Sequence, residues 1–128
     1  MIPYRIMAEI VDEIDQHMMD TRDTTYLAGK GVDVLVTIAR GWMRLGGFDA
    51  AGTFCIRGPA KPDGLAGADY DDMAATAFDT AITWLDWLCL TDRQAWQQAC
   101  TRLHLTNEEK ACWLIAADSL RSPSPVPE

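Results

Sequence analysis

A chain of 128 residues, 48% of them apolar, is long enough to close one hydrophobic core without a metal or disulfide staple, since a domain near this size buries roughly two-thirds of its unfolded surface. A formal net charge of −8 argues against a general affinity for nucleic-acid phosphates and favours a basic partner. No run of ~18 apolar residues and no basic-then-apolar leader is present, so a soluble, cytoplasmic protein that does not enter the membrane is expected.

The first predicted helix opens at Pro3, which suits a first turn, and runs to about Met19, with Ile6, Met7, Ile10, Val11, Ile14 and Met18 at spacings of three and four. Its opposite face aligns Glu9, Asp12, Glu13, Gln16 and Asp20. On that face Glu13, His17 and Asp20 have the spacing of three metal ligands, but a bundle site needs acids from facing helices as well. A solvated polar face is the expected reading, with no metal and no cofactor.

The second element is ambiguous. Val32, Val34 and Val36 alternate like a strand, whereas Leu35, Ile38, Ala39, Trp42 and Leu45 continue at helical spacing up to the stop signal Gly46-Gly47. The spacing predicts a helix whose early part is weakened by Gly29, Gly31 and Gly41, each costing about 1 kcal/mol against alanine. The cluster Gly29-Lys30-Gly31 lacks the upstream strand, the first glycine and the Ser/Thr of a phosphate-binding loop. From Gly46 to Ala68 a Gly/Pro-rich stretch predicts an irregular loop between the second and third helices, with Thr53 to Arg57 extended but unpaired.

The third helix carries the most uneven charge. Residues 63–92 hold seven acidic and no basic side chains, against six and two in 1–28, two and five in 29–62, and four of each in 93–128. Asp69 is expected as the N-cap, and Asp71 and Asp72 sit where the helix dipole favours negative charge. Further along, Asp72, Thr76, Asp79, Thr83 and Asp86 fall on one narrow stripe, while most of the rest from Met73 to Leu90 is apolar. Such a helix belongs at the centre of the domain. The aspartates stand ~10.5 Å apart along it, too far to form a catalytic pair or share a metal.

Two capping boxes follow, Thr91-Asp92-Arg93-Gln94 and Thr106-Asn107-Glu108-Glu109, each ahead of an apolar pattern. They predict a fourth helix burying Ala95, Trp96, Ala99, Cys100 and Leu103, and a fifth that is apolar from Ala111 to Ala117 and again at Leu120. The final Ser122 to Glu128, with three prolines, is expected to be a disordered tail. The fold class is therefore all-α: residues 1–121 form a single domain of about five helices packed around a central one.

Four cysteines, Cys55, Cys89, Cys100 and Cys112, lack any C-x-x-C pair and read as reduced thiols, mostly in the core. Cys100, His104 and Cys112 match no zinc spacing. Nothing marks one cysteine as an exposed, electropositive nucleophile. The five tryptophans are expected in the core, although Trp84, Trp87 and Trp96 are close enough in sequence for one to anchor an interface. The last two helices have the length of a helix-turn-helix, but the second begins with two acids where that motif presents cations.

Three function classes remain. The expected one is a small acidic, non-enzymatic protein docking on a basic protein surface, as an inhibitor or immunity-type partner of a nucleic-acid-handling protein does, without touching nucleic acid directly. Its partner-binding residues are Asp72, Asp79, Asp86, Glu9, Asp12 and Glu13; no catalytic residue is assigned. The alternatives are a helix-turn-helix regulator, whose cations would have to come from Lys30, Arg40, Arg44, Arg57 and Lys61, and a metal-binding helical bundle.

Overall fold

Alanine at positions 74, 75, 77 and 81 lets neighbouring helices approach a 25-residue helix, α4 (Gly67–Thr91), closely on most of its sides. A computed structural model describes residues 4–56 and 67–121 of the chain. Within it α4 packs against α1 (Tyr4–Thr21), α3 (Val32–Leu45), α5 (Arg93–Leu103) and α6 (Asn107–Arg121), so the all-α architecture is built around the helix expected at the centre. Phe78, Trp84, Leu85 and Leu88 of α4 meet Val11, Ile14 and Met18 of α1, Leu35, Ala39 and Trp42 of α3, Ala99 of α5 and Trp113, Ala116 and Ala117 of α6 in one core. The helix begins at Gly67, two residues before the expected Asp69 cap. Pro3, Arg57, Lys61 and the tail from Ser122 lie outside the described residues.

The junction after α1 is made by local polar contacts. The chain turns at Arg22, whose positive φ of 54° breaks the helix, and Asp23 then accepts the Tyr26 N–H and caps a short helix, α2 (Thr24–Tyr26). The predicted glycine weakness appears here as a π-helical turn over Leu27–Gly31, in which the Val32 N–H bonds to the Leu27 carbonyl five residues back. Arg102 of α5 donates to the Ala28 carbonyl within that turn at 2.9 Å and to Asp33 at 2.5 Å. Val32, Leu35, Val36, Ile38, Ala39 and Trp42 are all buried, as helical spacing requires.

The stretch expected to be wholly irregular contains a small antiparallel sheet. β1 (Gly46–Phe48) pairs with β2 (Phe54–Ile56), with Gly46 opposite Ile56, Gly47 opposite Cys55 and Phe48 opposite Phe54. The strand partner that seemed to be missing is thus the Gly-Gly pair that ends α3. Asp49 closes the hairpin, its carboxylate accepting from the N–H groups of Ala51 and Thr53, each at 2.9 Å, and Gly52 takes a φ of 83° that side chains disfavour. Gly46 is required sterically: a Cβ there would stand 2.5 Å from both the Cys55 carbonyl oxygen and the Phe54 ring. Phe54 is buried edge-on against Phe78 of α4, which ties the hairpin to the core.

Of the two predicted capping boxes, one is displaced and the other is half-formed. Asp92, not Thr91, caps α5 by accepting the Ala95 N–H, because α4 runs on through Thr91. Thr106 caps α6 as expected, accepting the Glu109 N–H at 3.1 Å. The reciprocal bond from Glu109 is not made, since its carboxylate is held elsewhere, by Arg40. Between these helices His104 adopts a left-handed φ of 53° and gives its N–H to the carbonyls of Cys100 and Thr101.

Candidate functional site

Surface carboxylates were the residue class singled out for recognition, and the fold treats its two groups differently. On α4 the stripe faces solvent as expected, with Asp72, Thr83 and Asp86 exposed and Asp79 half-buried. Two of its three aspartates are nevertheless engaged. Asp86 accepts from the Lys110 ammonium at 2.6 Å, and Asp79 is paired with Arg121. Because α4 and α6 run antiparallel, the two cations at opposite ends of α6 fall one on each aspartate.

On α1 no such pairing occurs among the described residues. Glu9, Asp12, Glu13 and Asp20 are all exposed, and none joins an ion pair among the described residues. Gln16 donates to Asp20 at 3.0 Å, holding two members of the row together. Asp15, at the edge of this face, is turned inward and accepts from the Trp84 indole N–H at 2.8 Å, while the Arg22 guanidinium lies 5.6 Å over the same indole. The acidic face of α1 is therefore anchored to the central helix, and its outer carboxylates join no ion pair among the described residues.

The candidate metal ligands of α1 are not brought together among the described residues. Glu13 and Asp20 point outward, but the His17 ring packs against Tyr26 at a centroid distance of 4.4 Å, tilted by 57°, with its Nε2 buried, so the three do not converge. Among the described residues no group of three potential ligands is placed to hold a metal ion. Of the cations that a helix-turn-helix reading would enlist, Arg40 is bound to Glu109, whereas Lys30 and Arg44 are exposed and join no ion pair among the described residues; on α6 itself Lys110 and Arg121 are bound to α4.

The cysteines correct an expectation. Cys55 is exposed and the other three are half-buried, so none lies in the fully enclosed core. Cys100 lines a pocket of about 260 Å3 between α5 and α6 with Trp96, Leu105, Thr106, Asn107 and Lys110. Burial pushes its thiol up, an effect that Lys110 partly offsets and Cys89 reinforces, so it holds its proton and is a poor nucleophile near neutral pH. Trp42, Trp84 and Trp113 are buried as expected, but Trp87 and Trp96 reach the surface in part.

Much of the chain resembles a small part of much longer proteins. It is 35% identical over 107 residues to a protein of Mycobacterium tuberculosis, found in two strains and described as an uncharacterized glycosyl hydrolase; the match takes in 73% of this chain and 8% of that protein. It is 28% identical over 127 residues to the alpha,alpha-trehalose phosphorylase of Thermoanaerobacter brockii, covering 94% of this chain and 16% of that enzyme. The chain thus spans less than a fifth of the length of these curated relatives. No family model and no solved structure matches it. None of the described helices is long and apolar enough to cross a membrane.

Proposed function

We propose that this chain is a non-enzymatic binding module that docks on a basic protein surface, with the outer face of α1 as its principal contact. The expected partner is a nucleic-acid-handling protein, engaged in the manner of an inhibitor or immunity protein. The observation that supports this reading is the contrast between the two acidic helices. Asp79 and Asp86 already have cations from α6, whereas Glu9, Asp12, Glu13 and Asp20 have none among the described residues, so α1 has the charge to offer and Asp72 adds to it from α4. Exposed charges of this kind act mainly on the association rate and its salt dependence.

The test is a pair of double substitutions, each measured for association kinetics against the partner recovered in a low-salt pull-down. Glu9→Gln/Glu13→Gln is expected to slow association severalfold at low salt, with the defect shrinking as the Debye length falls toward ~3 Å at 1 M. Asp79→Asn/Asp86→Asn is expected to change association less. Unaltered kinetics in the α1 variant would leave the acidity with a role in solubility alone.

The similarity to glycoside-acting proteins favours a second reading, in which the chain corresponds to a helical portion of such a protein and other segments complete the site. Incubating the purified chain with trehalose and phosphate, and following trehalose by chromatography, separates the two. Consumption of trehalose by this chain alone would overturn the non-enzymatic reading. No consumption by the chain, with activity appearing when the remainder of a relative is added, would support the second.

A further inference from the structure

Only Arg22 and Asp23 separate α1 from the helical run that continues through α2, the π-helical turn and α3. Arg22 takes a left-handed φ of 54°, and Asp23 is extended, with φ −80° and ψ 95°. On either side of them the backbone already bonds as an α-helix does. The Arg22 N–H reaches the Met18 carbonyl at 2.9 Å and the Leu27 N–H the Asp23 carbonyl at 3.0 Å, each four residues back. What holds the break open is a pair of local side-chain contacts: Asp23 accepts the Tyr26 N–H at 3.1 Å, and its own N–H bonds to the Thr21 hydroxyl at 3.2 Å. Against them stands the left-handed backbone at Arg22, a conformation that costs any residue other than glycine.

We propose that this break is a hinge through which α1 is exchanged between two copies of the chain. With Arg22 and Asp23 in helical conformation, α1 runs on into α2 and α3 as one helical run from Tyr4 to Leu45, and the Thr24 and Thr25 N–H groups gain the carbonyls of Asp20 and Thr21. The inner face of α1 then leaves its own α4 and takes the place of α1 on the second copy. No new complementarity is needed, because the groove is the one that α1 already fills. Val11, Ile14 and Met18 re-enter a core shaped for them, Asp15 again accepts from a Trp84 indole N–H, and His17 again packs against a Tyr26 ring. Each copy gives one helix and receives one, so the assembly closes as a dimer.

Helix α1 is suited to this exchange. It rests chiefly on α4, so its departure breaks one main helix-to-helix contact and leaves the packing of α3, α5 and α6 on α4 in place. The short connection under backbone strain is the feature that invites swapping. Opening gives up the contact within one copy before the contact between copies is made, so exchange is slow in the folded protein and favoured when chains fold together at high concentration. The outer acidic face of α1 takes no part in the exchanged contact, and the inference does not depend on what that face binds.

Refolding the full chain from urea at about millimolar and at about micromolar concentration, followed by sedimentation velocity, tests this directly. The concentrated sample is expected to contain a dimer that survives dilution in native buffer and returns to monomer once it is unfolded and refolded dilute. Arg22→Gly relieves the left-handed backbone and weakens the continuous helix, so it should lower the dimerisation constant at least about tenfold, two hinges being changed per dimer. Asp23→Ala removes the cap of α2 and should raise the constant by about the same factor. In a dimer mixed from isotope-labelled and unlabelled chains, nuclear Overhauser contacts should join α1 of one copy to α4 of the other. A wild-type chain that stays monomeric after concentrated refolding would overturn the proposal. So would a dimer that dissociates freely on dilution, or one that neither substitution moves, since surface association does not pass through the hinge.

Discussion

Alanine in place of Leu85 is expected to lower the free energy of unfolding by about 2–5 kcal/mol. The side chain is 1% exposed on the face of α4 opposite the aspartate stripe, within the single core cluster. Removing its terminal carbons forfeits their transfer out of water and leaves a cavity that the helices around α4 can close only in part. A urea titration with an unchanged slope gives the value directly, because the slope reports the surface exposed on unfolding. A loss under about 1 kcal/mol would contradict the packing of α4 described here.

Methionine in place of Arg40 is expected to cost about 2–3 kcal/mol, the next largest effect. Arg40 joins three helices: its guanidinium donates to both carboxylate oxygens of Glu109 on α6, at 2.6 and 2.9 Å, and to the Leu103 carbonyl at the end of α5, at 2.8 Å. Both side chains keep partial solvent access, 30% and 27%, so the loss should fall short of that for a fully buried pair. Adding Glu109→Gln should restore part of it, because the stranded carboxylate is then neutral.

The same contact predicts how this contribution varies with pH. Hydrogen bonding to Glu109 raises the Arg40 guanidinium above its ordinary value, outweighing the opposite effect of burial. A group raised on folding contributes fully below its unfolded value and loses that contribution only as pH climbs past the raised one. The effect of Arg40→Met should therefore stay constant from neutrality to about pH 10. A penalty that faded over that range would contradict this assignment.

Which parts of this molecule could be read from its sequence follows the range of the interactions involved. The central helix was legible because burial on most sides leaves a local record, a single polar stripe at Asp72, Thr76, Asp79, Thr83 and Asp86 among apolar residues. The Thr106 cap was legible for the same reason. The β-hairpin was not, since two of its three pairs fall on Gly46 and Gly47, which carry no strand preference and resemble a helix stop. The fate of the stripe was also hidden. Whether Asp79 and Asp86 are on offer depends on Arg121 and Lys110, residues far along the chain whose position is set only once α6 packs antiparallel to α4. The acidic face of α1 read correctly as exposed, but its standing relative to α4 required the ion pairs. The displaced cap at Asp92 is a smaller case, in which a longer α4 overrode a good local motif.

The π-helical turn at Leu27–Gly31 has a consequence for how this chain can change length. Closing a hydrogen bond over five residues stores one residue more than an α-helix needs between α2 and α3. Gly29 sits in that turn with open space around it, since a Cβ there would meet nothing within 4 Å. Deleting it would convert the turn to ordinary α-helix while Val32, Leu35 and Trp42 kept their phase toward the core. The same deletion inside α3 or α4 would rotate every later side chain of that helix by about 100°. Across a lineage, this turn is accordingly where gain or loss of a single codon should be tolerated, at the expense of little more than the Arg102 bond to the Ala28 carbonyl.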